Sequence, residues 1–334
     1  MAKADVSIRE ISKLTGVSIA TVSRVINQNG RFSHETERKV RKALEDTGYT
    51  PNLAARSLRT KRVPTIGIIV PDITNEFFAR ITLELQKRLF GLNYSTIICN
   101  TNEIQDIEQR HLHMLRSQQV SGIVYISGAF SGDRDILDLP TVYIDRKPPF
   151  SSDNKDYMLI ESDNFEGGYL AGRELLSKGC KELCMIKYKD NISSHNDREA
   201  GFLKALREFK CNIPDNAVYT VNEVGVENGY NTANEILKDM RPDGIFCSAD
   251  LLAVGAISAI LDSGKKVPGD IKVVGFDDTS IAANSRIPIT SLQQPIQKMG
   301  ELAANNIVNM IEKPTEQDDR KIKLPVKLVV RAST

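Results

Sequence analysis

The chain has 334 residues and a net charge of +1 at neutral pH, and 41% of its residues are hydrophobic. This composition allows a sizeable buried core, and the length predicts two or three domains. No apolar run near the N-terminus resembles a signal peptide and none reaches a membrane-spanning length, so we exclude exported and membrane-embedded classes and expect a cytoplasmic protein.

Charge is distributed unevenly along the chain. Residues 1–62 hold 13 lysine and arginine residues against 6 aspartate and glutamate residues, whereas the remainder holds 31 against 37. A basic segment on a mildly acidic body indicates an anionic partner bound at one end. The five cysteines form no paired motif, so we expect buried thiols, no metal site and no cofactor.

The segment Val17 to Asn27 predicts an amphipathic helix that follows a shorter helical segment, residues 8–14, across a Thr-Gly turn. Ser18 can cap its first turn. Its polar face has short or hydrogen-bonding side chains and no carboxylate: Ile19, Ala20, Thr21, Ser23, Arg24 and Asn27. Such a face suits a DNA major groove, where phosphates repel carboxylates. An ordinary surface helix is the alternative that this segment alone leaves open.

Residues 33–47 predict a third helix, capped by Ser33. Together the three helices form a small head, residues 1–50, which buries little apolar surface by itself. Residues 51–63 follow as a basic hinge and linker in which Pro51 and Asn52 can begin a helix of about two turns. This segment could fold on DNA, or it could be a solvated basic linker.

Several motifs here resemble the lactose- and galactose-repressor (LacI/GalR) family of bacterial transcription regulators: Val17 to Asn27, the turn Gly48-Tyr49-x-Pro51-Asn52, Ala55 and Leu58. The resemblance continues over nearly the whole chain. It implies that Ile19, Ala20 and Arg24 read bases, Arg24 being the best candidate for a bidentate contact to guanine. It implies mainly phosphate contacts from Ser18, Thr21, Ser23, Asn27 and Arg31.

The same resemblance implies a role for the hinge. In the family, the hinge helices of two subunits enter the minor groove together, and a leucine at the position of Leu58 wedges into the central base step. Asn52 and Ala55 belong to this segment and are assigned to the DNA-binding set. The cost of ordering the hinge must then be offset by DNA contacts that only one state of the body permits.

From Thr65 onward, apolar runs alternate with helical patterns. The runs predict buried parallel strands at residues 66–70, 94–99, 122–126, 141–144, 183–186, 244–247 and 273–276. Helices are predicted at residues 76–90, 104–118, 165–178, 197–209, 227–240 and 250–263. This pattern predicts a doubly wound α/β body with too many strands for one compact sheet.

The family resemblance implies that the body has two lobes of the periplasmic-binding-protein type, with three chain crossings near residues 160, 290 and 323. We therefore assign residues 64–334 to an effector-binding and dimerisation domain. Its N-lobe comprises about residues 64–160 and 291–322, and its C-lobe about residues 161–290 and 323–334. A final strand is predicted from Leu324 to Val330.

Candidate ligand residues follow the predicted strands, where open α/β sheets bind ligands. Phe77 and Phe78 open a helix, which is more often a core feature, but the family has ligand-stacking aromatics there. Asp145 closes the fourth strand, and Asp163 is either a helix cap or a ligand group. Arg198 lies in a segment that resembles the family's Arg-x-x-Gly-Phe motif, whose arginine holds ligand oxygens.

Asp277 and Gln294 complete this predicted set. Asp277 matches a family carboxylate that binds sugar hydroxyls, and Gln294 would border the cleft. Together, Asp145, Arg198 and Asp277 suit a neutral polyhydroxylated ligand better than a phosphate. Ala249 replaces an asparagine of many relatives and Val224 replaces an aromatic residue, so we do not expect a lactose-like ligand.

Competing functions are weaker. The four histidines form no metal pair, and neither a nucleophile elbow nor a phosphate-binding loop is present, so we do not expect an enzyme. A sugar-binding receptor without a regulatory role would need export and no basic head. A purine corepressor or a phosphocarrier protein in place of a sugar stays open.

The sequence therefore predicts a sugar-responsive repressor of sugar-utilisation genes that binds a palindromic double-stranded operator and associates with the nucleoid. No leucine heptad follows the body, so we expect a homodimer. We expect no membrane partner.

Overall fold

The computed structural model describes residues 6–26, 30–49, 63–126, 139–148, 158–189, 192–211, 217–313 and 320–334. The chain divides into two compact units, Met1–Val63 and Pro64–Thr334. Among the described residues, no helix is both long and apolar enough to cross a membrane. The predicted hinge, residues 51–63, lies outside the described residues except for Val63, which begins the first strand.

The first unit contains three helices: α1 (Ile8–Thr15), α2 (Ile19–Ile26) and α3 (His34–Thr47). The side chains of Ser7 and Ser33 cap α1 and α3 by accepting hydrogen bonds from backbone amides. Ser18 accepts from the amide of Thr21 at 3.2 Å, which is the capping role predicted for it. The helices bury one small apolar cluster around Ile11, Val22, Val25 and Val40. The predicted three-helix head is confirmed.

The first lobe of the second unit contains one six-stranded sheet, formed by β1 (Val63–Val70), β2 (Ser95–Asn100), β3 (Val120–Ile126), β4 (Thr141–Ile144), β5 (Met158–Ser162) and β11 (Lys321–Leu324). The strand order is β11-β5-β4-β3-β1-β2. Three helices pack on it: α4 (Glu76–Gly91), α5 (Gln105–Ser117) and α11 (Ile296–Glu312). Separate apolar clusters lie on the two faces, as the continuous apolar runs predict.

The second lobe repeats this plan with β6 (Leu183–Tyr188), β7 (Val218–Val221), β8 (Gly244–Cys247), β9 (Lys272–Asp277), β10 (Thr290–Gln293) and β12 (Lys327–Val329). The strand order is β12-β10-β9-β8-β6-β7, with β12 antiparallel to β10. Its helices are α6 (Asn164–Ser177), α7 (Ser193–Glu208), α8 (Val226–Asp239), α9 (Asp250–Asp262) and α10 (Ser280–Asn284). The predicted doubly wound α/β body is confirmed.

The chain passes between the lobes three times: from β5 to α6, from β10 to α11 and from β11 to β12. The single final strand predicted from Leu324 to Val330 is wrong. Two short strands replace it in different sheets, separated by Pro325 and Val326. Proline has no amide hydrogen to donate, so it interrupts a ladder. The sequence pattern also gave no strand at β5, β7 or β10, because polar residues interrupt each of these short segments and leave no continuous apolar run.

Helices α6 and α7 pack closely because glycines lie at their contact. A Cβ atom on Gly168 would lie 1.8 Å from the carbonyl oxygen of Arg198, and one on Gly201 would lie 1.9 Å from the carbonyl oxygen of Phe165. Neither backbone can approach so closely with any larger residue. This close contact fixes the backbone of α7 where it carries Arg198.

Candidate functional site

The carboxyl ends of the strands in both sheets border one cleft between the lobes, with a volume of about 470 Å³. The first lobe contributes residues that follow β1, β2 and β4: Pro71, Asp72, Asn75, Phe77, Phe78, Asn102, Glu103, Ile104, Asp145 and Arg146. The second lobe contributes residues of α7 and residues that end or follow β6 to β9: Tyr188, Lys189, His195, Arg198, Asn222, Glu223, Val224, Ala249 and Asp277. Because ligands of open α/β sheets bind at this edge, the cleft is the candidate effector site.

Arg198 is a buried cleft residue whose guanidinium donates two hydrogen bonds within the protein. Its Nε donates to Asn164 Oδ1 at 2.8 Å, and its Nη1 donates to the Ser248 carbonyl oxygen at 2.7 Å. Its Nη2 lies 3.9 Å from Asp145 Oδ1, and its Nη1 lies 3.9 Å from Asp277 Oδ1. At that length these two are charge contacts and not hydrogen bonds. The predicted set of Asp145, Arg198 and Asp277 is thus brought together around one buried guanidinium.

Asp277 is a buried carboxyl at the end of β9, with a left-handed backbone (φ 109°). Gln294 Nε2 donates to its Oδ1 at 2.7 Å, and Ser162 Oγ donates to Gln294 Oε1 at 2.6 Å. Burial raises the pKa of Asp277 well above its usual range, and the nearby charge of Arg198 offsets this only in part. An effector hydroxyl here would therefore meet a buried carboxyl that Gln294 already orients.

Phe77 and Phe78 lie in the first turn of α4, which Asn75 caps by accepting from the Phe77 amide at 3.0 Å. Their ring centroids are 5.3 Å apart and the rings are tilted by 60°. Both rings line the cleft and both belong to the apolar cluster of the first lobe. The two interpretations made from the sequence, core and ligand contact, are therefore compatible in space.

His195 is a cleft residue that was not predicted, because a single histidine outside any metal-ligand or catalytic pattern gives no signal in the sequence. Its Nδ1 is 2.9 Å from Ser248 Oγ, and its ring meets the edge of Tyr188 at 5.4 Å. Burial lowers the pKa of His195 well below its usual value, and the charges of Arg198 and Arg146 lower it further. The imidazole is therefore neutral. Its flat ring forms part of the cleft wall, and its nitrogens can form hydrogen bonds.

Two predicted effector residues stand outside the described lining of the cleft. Asp163 caps α6 by accepting from the Glu166 amide at 3.1 Å, and it lies 3.8 Å from Lys323 Nζ. Its geometry matches the helix-cap alternative. Gln294 lies behind Asp277 and orients that carboxyl. Ala249 and Val224, the two departures from the family pattern, do line the cleft.

A second charged group of the cleft was also missed from the sequence. It consists of Glu103, Arg146, Tyr188 and Lys189, which we call the outer cluster because Glu103 and Lys189 are more exposed than the Arg198 group. Arg146 was recognisable only as the neighbour of Asp145 in the chain. Glu103 carried no signal, because its role depends on residues 43 or more positions away.

In the separate head unit, the predicted base-reading residues Ile19, Ala20 and Arg24 are exposed on α2. Ser18 and Arg31 are also exposed, and Thr21 and Ser23 are half-buried. Helix α2 contains no acidic residue, so its open face presents donors and apolar groups to a polyanion. The remaining predicted DNA-binding residues, Asn27, Asn52, Ala55 and Leu58, lie outside the described residues.

Comparison with known proteins matches both units. Residues 7–52 match the family described as bacterial regulatory proteins, lacI family, and residues 173–334 match a periplasmic binding protein-like domain. The regulator RegA of Clostridium saccharobutylicum is 34% identical over 98% of this chain and 99% of its own. The ribose operon repressor of Halalkalibacterium halodurans is 32% identical over 98% and 97%. The repressor PurR of Pasteurella multocida is 33% identical over 98% and 98%.

Solved structures show the same architecture. A lac repressor dimer bound to operator covers 98% of each chain with a TM-score of 0.81 at 23% identity, which supports the fold alone. A regulator from Enterococcus faecium with bound ribose is 29% identical, covering 81% of this chain and 98% of its own, with a TM-score of 0.70.

Proposed function

We propose, from the premise that this chain belongs to the LacI family of bacterial regulatory proteins, that it represses sugar-utilisation genes and that a small sugar bound between its lobes controls its operator affinity. One observation carries the effector part: the buried guanidinium of Arg198 is held between the carboxyls of Asp145 and Asp277. No catalytic activity belongs to this proposal, because the relatives are regulators. We locate the protein in the bacterial cytoplasm, with the DNA.

The DNA end of the proposal rests on the exposed face of α2. Ile19, Ala20 and Arg24 are proposed to contact bases, with the planar fork of Arg24 directed at guanine O6 and N7. Ser18, Thr21, Ser23, Asn27 and Arg31 would contact phosphates and fix the register of the helix. Asn52, Ala55 and Leu58 would enter the minor groove as a pair of hinge segments from two subunits. A palindromic operator follows from the two-fold symmetry.

The effector end of the proposal rests on chemistry that suits hydroxyl groups. Asp145 and Asp277 can accept from sugar hydroxyls, and the guanidinium of Arg198 can donate to sugar oxygens. Phe77 and Phe78 offer apolar faces for the carbon skeleton of the ring. A phosphate at Arg198 would also meet the carboxyls of Asp145 and Asp277, which disfavours it. The ribose operon repressor and the regulator with bound ribose among the similar proteins support a sugar about as large as ribose.

A purine is the second candidate effector, because a relative named as the repressor PurR is as similar to this chain as the ribose operon repressor is. The flat walls of Phe77, Phe78 and His195 could accept a base. We rank it second because a cleft whose centre is an ion-paired arginine between carboxyls offers more to a polyol than to a flat heterocycle. A phosphocarrier protein as partner is a further family alternative and would bind outside the cleft.

A homodimer is part of the proposal. Leu83 and Phe90, one heptad apart on α4, are 65% and 78% exposed, and Ile98 on the edge strand β2 is 41% exposed. Gln86 on α4 contacts Thr96 on β2 at 3.4 Å, so these side chains belong to one surface of the first lobe. Apolar exposure of this kind marks an interface, and two heads need two chains.

The coupling between the two ends is proposed to act through the lobes. Lys147, after β4, donates from its amide to Ser193 Oγ at 2.9 Å and from Nζ to Asp197 Oδ2 at 3.0 Å. These contacts join the first lobe to the start of α7, the helix that carries Arg198. A ligand that binds Asp145 and Arg198 together would therefore bias the lobe arrangement, with a reciprocal coupling of typically ~1–3 kcal/mol.

The test is a titration of the purified protein on DNA from upstream of its own gene, with and without sugars and purine bases at fixed salt. A protected palindrome released by ribose or another single sugar is the expected result. Tighter binding with a purine would replace the sugar by a corepressor. Tight binding that ignores every small molecule would contradict the effector proposal, while leaving DNA binding in place.

A further inference from the structure

The outer cluster places one carboxylate of the first lobe against three donors. Arg146 Nη1 donates to Glu103 Oε1 at 2.9 Å, and the Tyr188 hydroxyl donates to Glu103 Oε2. Lys189 Nζ lies 3.6 Å from the same Oε2. Tyr188 ends β6 and Lys189 comes directly after it, so both belong to the second lobe. The carboxylate of Glu103 therefore reaches across the cleft. All four side chains line the same cavity as Arg198.

The donors around Glu103 form the kind of group that holds an anion. Two cations and a phenol converge on one pair of oxygens, and the Arg146 side chain is only 7% exposed. Burial by itself raises the pKa of Glu103, but the charge of Arg146, the Tyr188 hydroxyl and Lys189 lower it by more, so the net pKa falls. The carboxylate is therefore ionised, and it neutralises cations that would otherwise face a ligand.

The backbone is shaped to deliver this carboxylate. Asn102 and Glu103 are both left-handed, with φ of 50° and 56°, although neither is glycine. The turn is held by Asn100, whose Oδ1 accepts from the Ile73 amide at 2.7 Å and whose Nδ2 donates to Asn102 Oδ1 at 2.6 Å. Left-handed backbone at two successive residues with side chains is uncommon, and it persists when the surroundings hold it.

We propose that Glu103 is a specificity-determining residue: it fills an anion subsite of the cleft with a carboxylate of the protein itself. The site then accepts an uncharged sugar and rejects the phosphorylated or carboxylated form of that sugar. A ligand phosphate or carboxylate would have to displace Glu103 from Arg146, Tyr188 and Lys189. This inference rests on the proposed function of the cleft as a sugar site.

A purely mechanical role is the competing explanation, because Glu103 also joins the lobes. The chain contains a second carboxylate with that property: both oxygens of Glu76, on α4, accept from the amide of Ser280 at 3.0 and 2.9 Å. Ser280 belongs to the second lobe, and Glu76 is outside the described lining of the cleft. A matched variant at Glu76 therefore weakens a lobe contact without opening the anion subsite.

The experiment measures binding of three probes to the full-length protein by calorimetry at constant ionic strength: D-ribose, D-ribose 5-phosphate and inorganic phosphate. For the wild type we expect measurable affinities for all three probes, with ribose bound far more tightly than the two anions. Glu103→Ala should raise the affinity for both anions at least about tenfold relative to its effect on ribose affinity. Glu103→Gln, which keeps the shape without the charge, should show the same direction and covers the case in which the alanine variant fails to fold.

Three control variants distinguish the loss of one negative charge, the loss of a contact between the lobes, and the position at which the anion binds. Glu223→Gln removes one negative charge from the same cleft lining and should give no gain in phosphate binding. Glu76→Gln should change ribose and ribose 5-phosphate by the same factor, if it changes either. Adding Lys189→Ala to Glu103→Ala should remove most of the gain, because Lys189 is one of the vacated donors.

The proposal is overturned if folded Glu103→Ala binds phosphate no better than the wild type, or if Glu223→Gln gains as much. If neither the wild type nor any variant binds ribose, ribose is not the effector of this cleft. The phosphate titration still decides the role of Glu103 in that case, since it needs no sugar.

Discussion

The guanidinium carbon of Arg198 lies 3.6 Å from the centre of the Phe276 ring, and Phe276 directly precedes Asp277 in β9. Strand β9 thus supplies a flat surface under the cation and, at the next residue, a carboxyl beside it. Stacking restrains the guanidinium plane, and hydrogen bonds to Asn164 and Ser248 restrain its rotation. The arginine is therefore oriented before a ligand arrives, which lowers the ordering cost of binding.

Arg198→Ala is expected to abolish the effector response while leaving operator binding by the head intact. Removal of the cation also leaves two buried carboxyls without it, so the body should lose about 3–5 kcal/mol of stability. Thermal unfolding and an operator titration with and without the effector measure both effects. Arg198→Lys keeps the positive charge but not the planar guanidinium. It should recover more of the stability than of the effector response. A normal response in the alanine variant would show that the cleft is not the effector site.

Gly168→Ala is expected to destabilise the body by about 1–3 kcal/mol or more, because its methyl group would overlap the backbone of α7. The accompanying shift of α7 should weaken effector binding as well. Gly91→Ala is the matched control, since a Cβ there meets nothing within 4 Å. It should stay within about 0.5 kcal/mol of the wild type in chemical denaturation. Equal stability of the two variants would rule out the close helix contact.

His195→Asn tests a pH dependence. The folded state holds His195 with a lowered pKa, so below the usual histidine value of 6.5 the unfolded chain takes up a proton that the folded chain does not. The stability that neutral His195 contributes is therefore present above pH 6.5 and is lost as the pH falls below it. Between pH 7 and pH 5 the wild type should therefore lose up to about 2 kcal/mol relative to the variant. Parallel stability curves for the two proteins would mean that His195 titrates normally.

Leu58→Ala tests the wedge predicted for the hinge. We expect weaker operator binding with unchanged effector affinity, since Leu58 is assigned to the minor groove and not to the cleft. A DNA-bending assay on the operator should show a smaller bend. Arg24→Ala provides the comparison: it should cost about 1–3 kcal/mol of discrimination at one base pair. Unchanged operator affinity of the leucine variant would remove the wedge from the mechanism.

The residue pattern predicts structure best where the physics is local. Helix α3 has its cap at Ser33, and the strands Thr141–Ile144 and Gly244–Cys247 have the predicted bounds. Caps and continuous apolar runs are properties of neighbouring residues, so they can be read along the chain. The prediction of one strand from Leu324 to Val330 failed because no local property of the sequence indicates that two adjacent short strands belong to different sheets.

The sequence determined the residue types of the cleft, since Asp145 and Asp277 lie at the ends of strands and Arg198 lies in the helix that follows β6. Only the tertiary structure decided which polar groups meet. It assigned Asp163 to a helix cap, put Gln294 behind Asp277, and brought Glu103 across the cleft to Tyr188. The last two contacts join residues of different strands or different lobes, whereas the Asp163 cap is local and the structure selected it from the two roles that the sequence allowed. Their energies depend on distance and burial, and both are properties of the folded chain that no stretch of sequence contains.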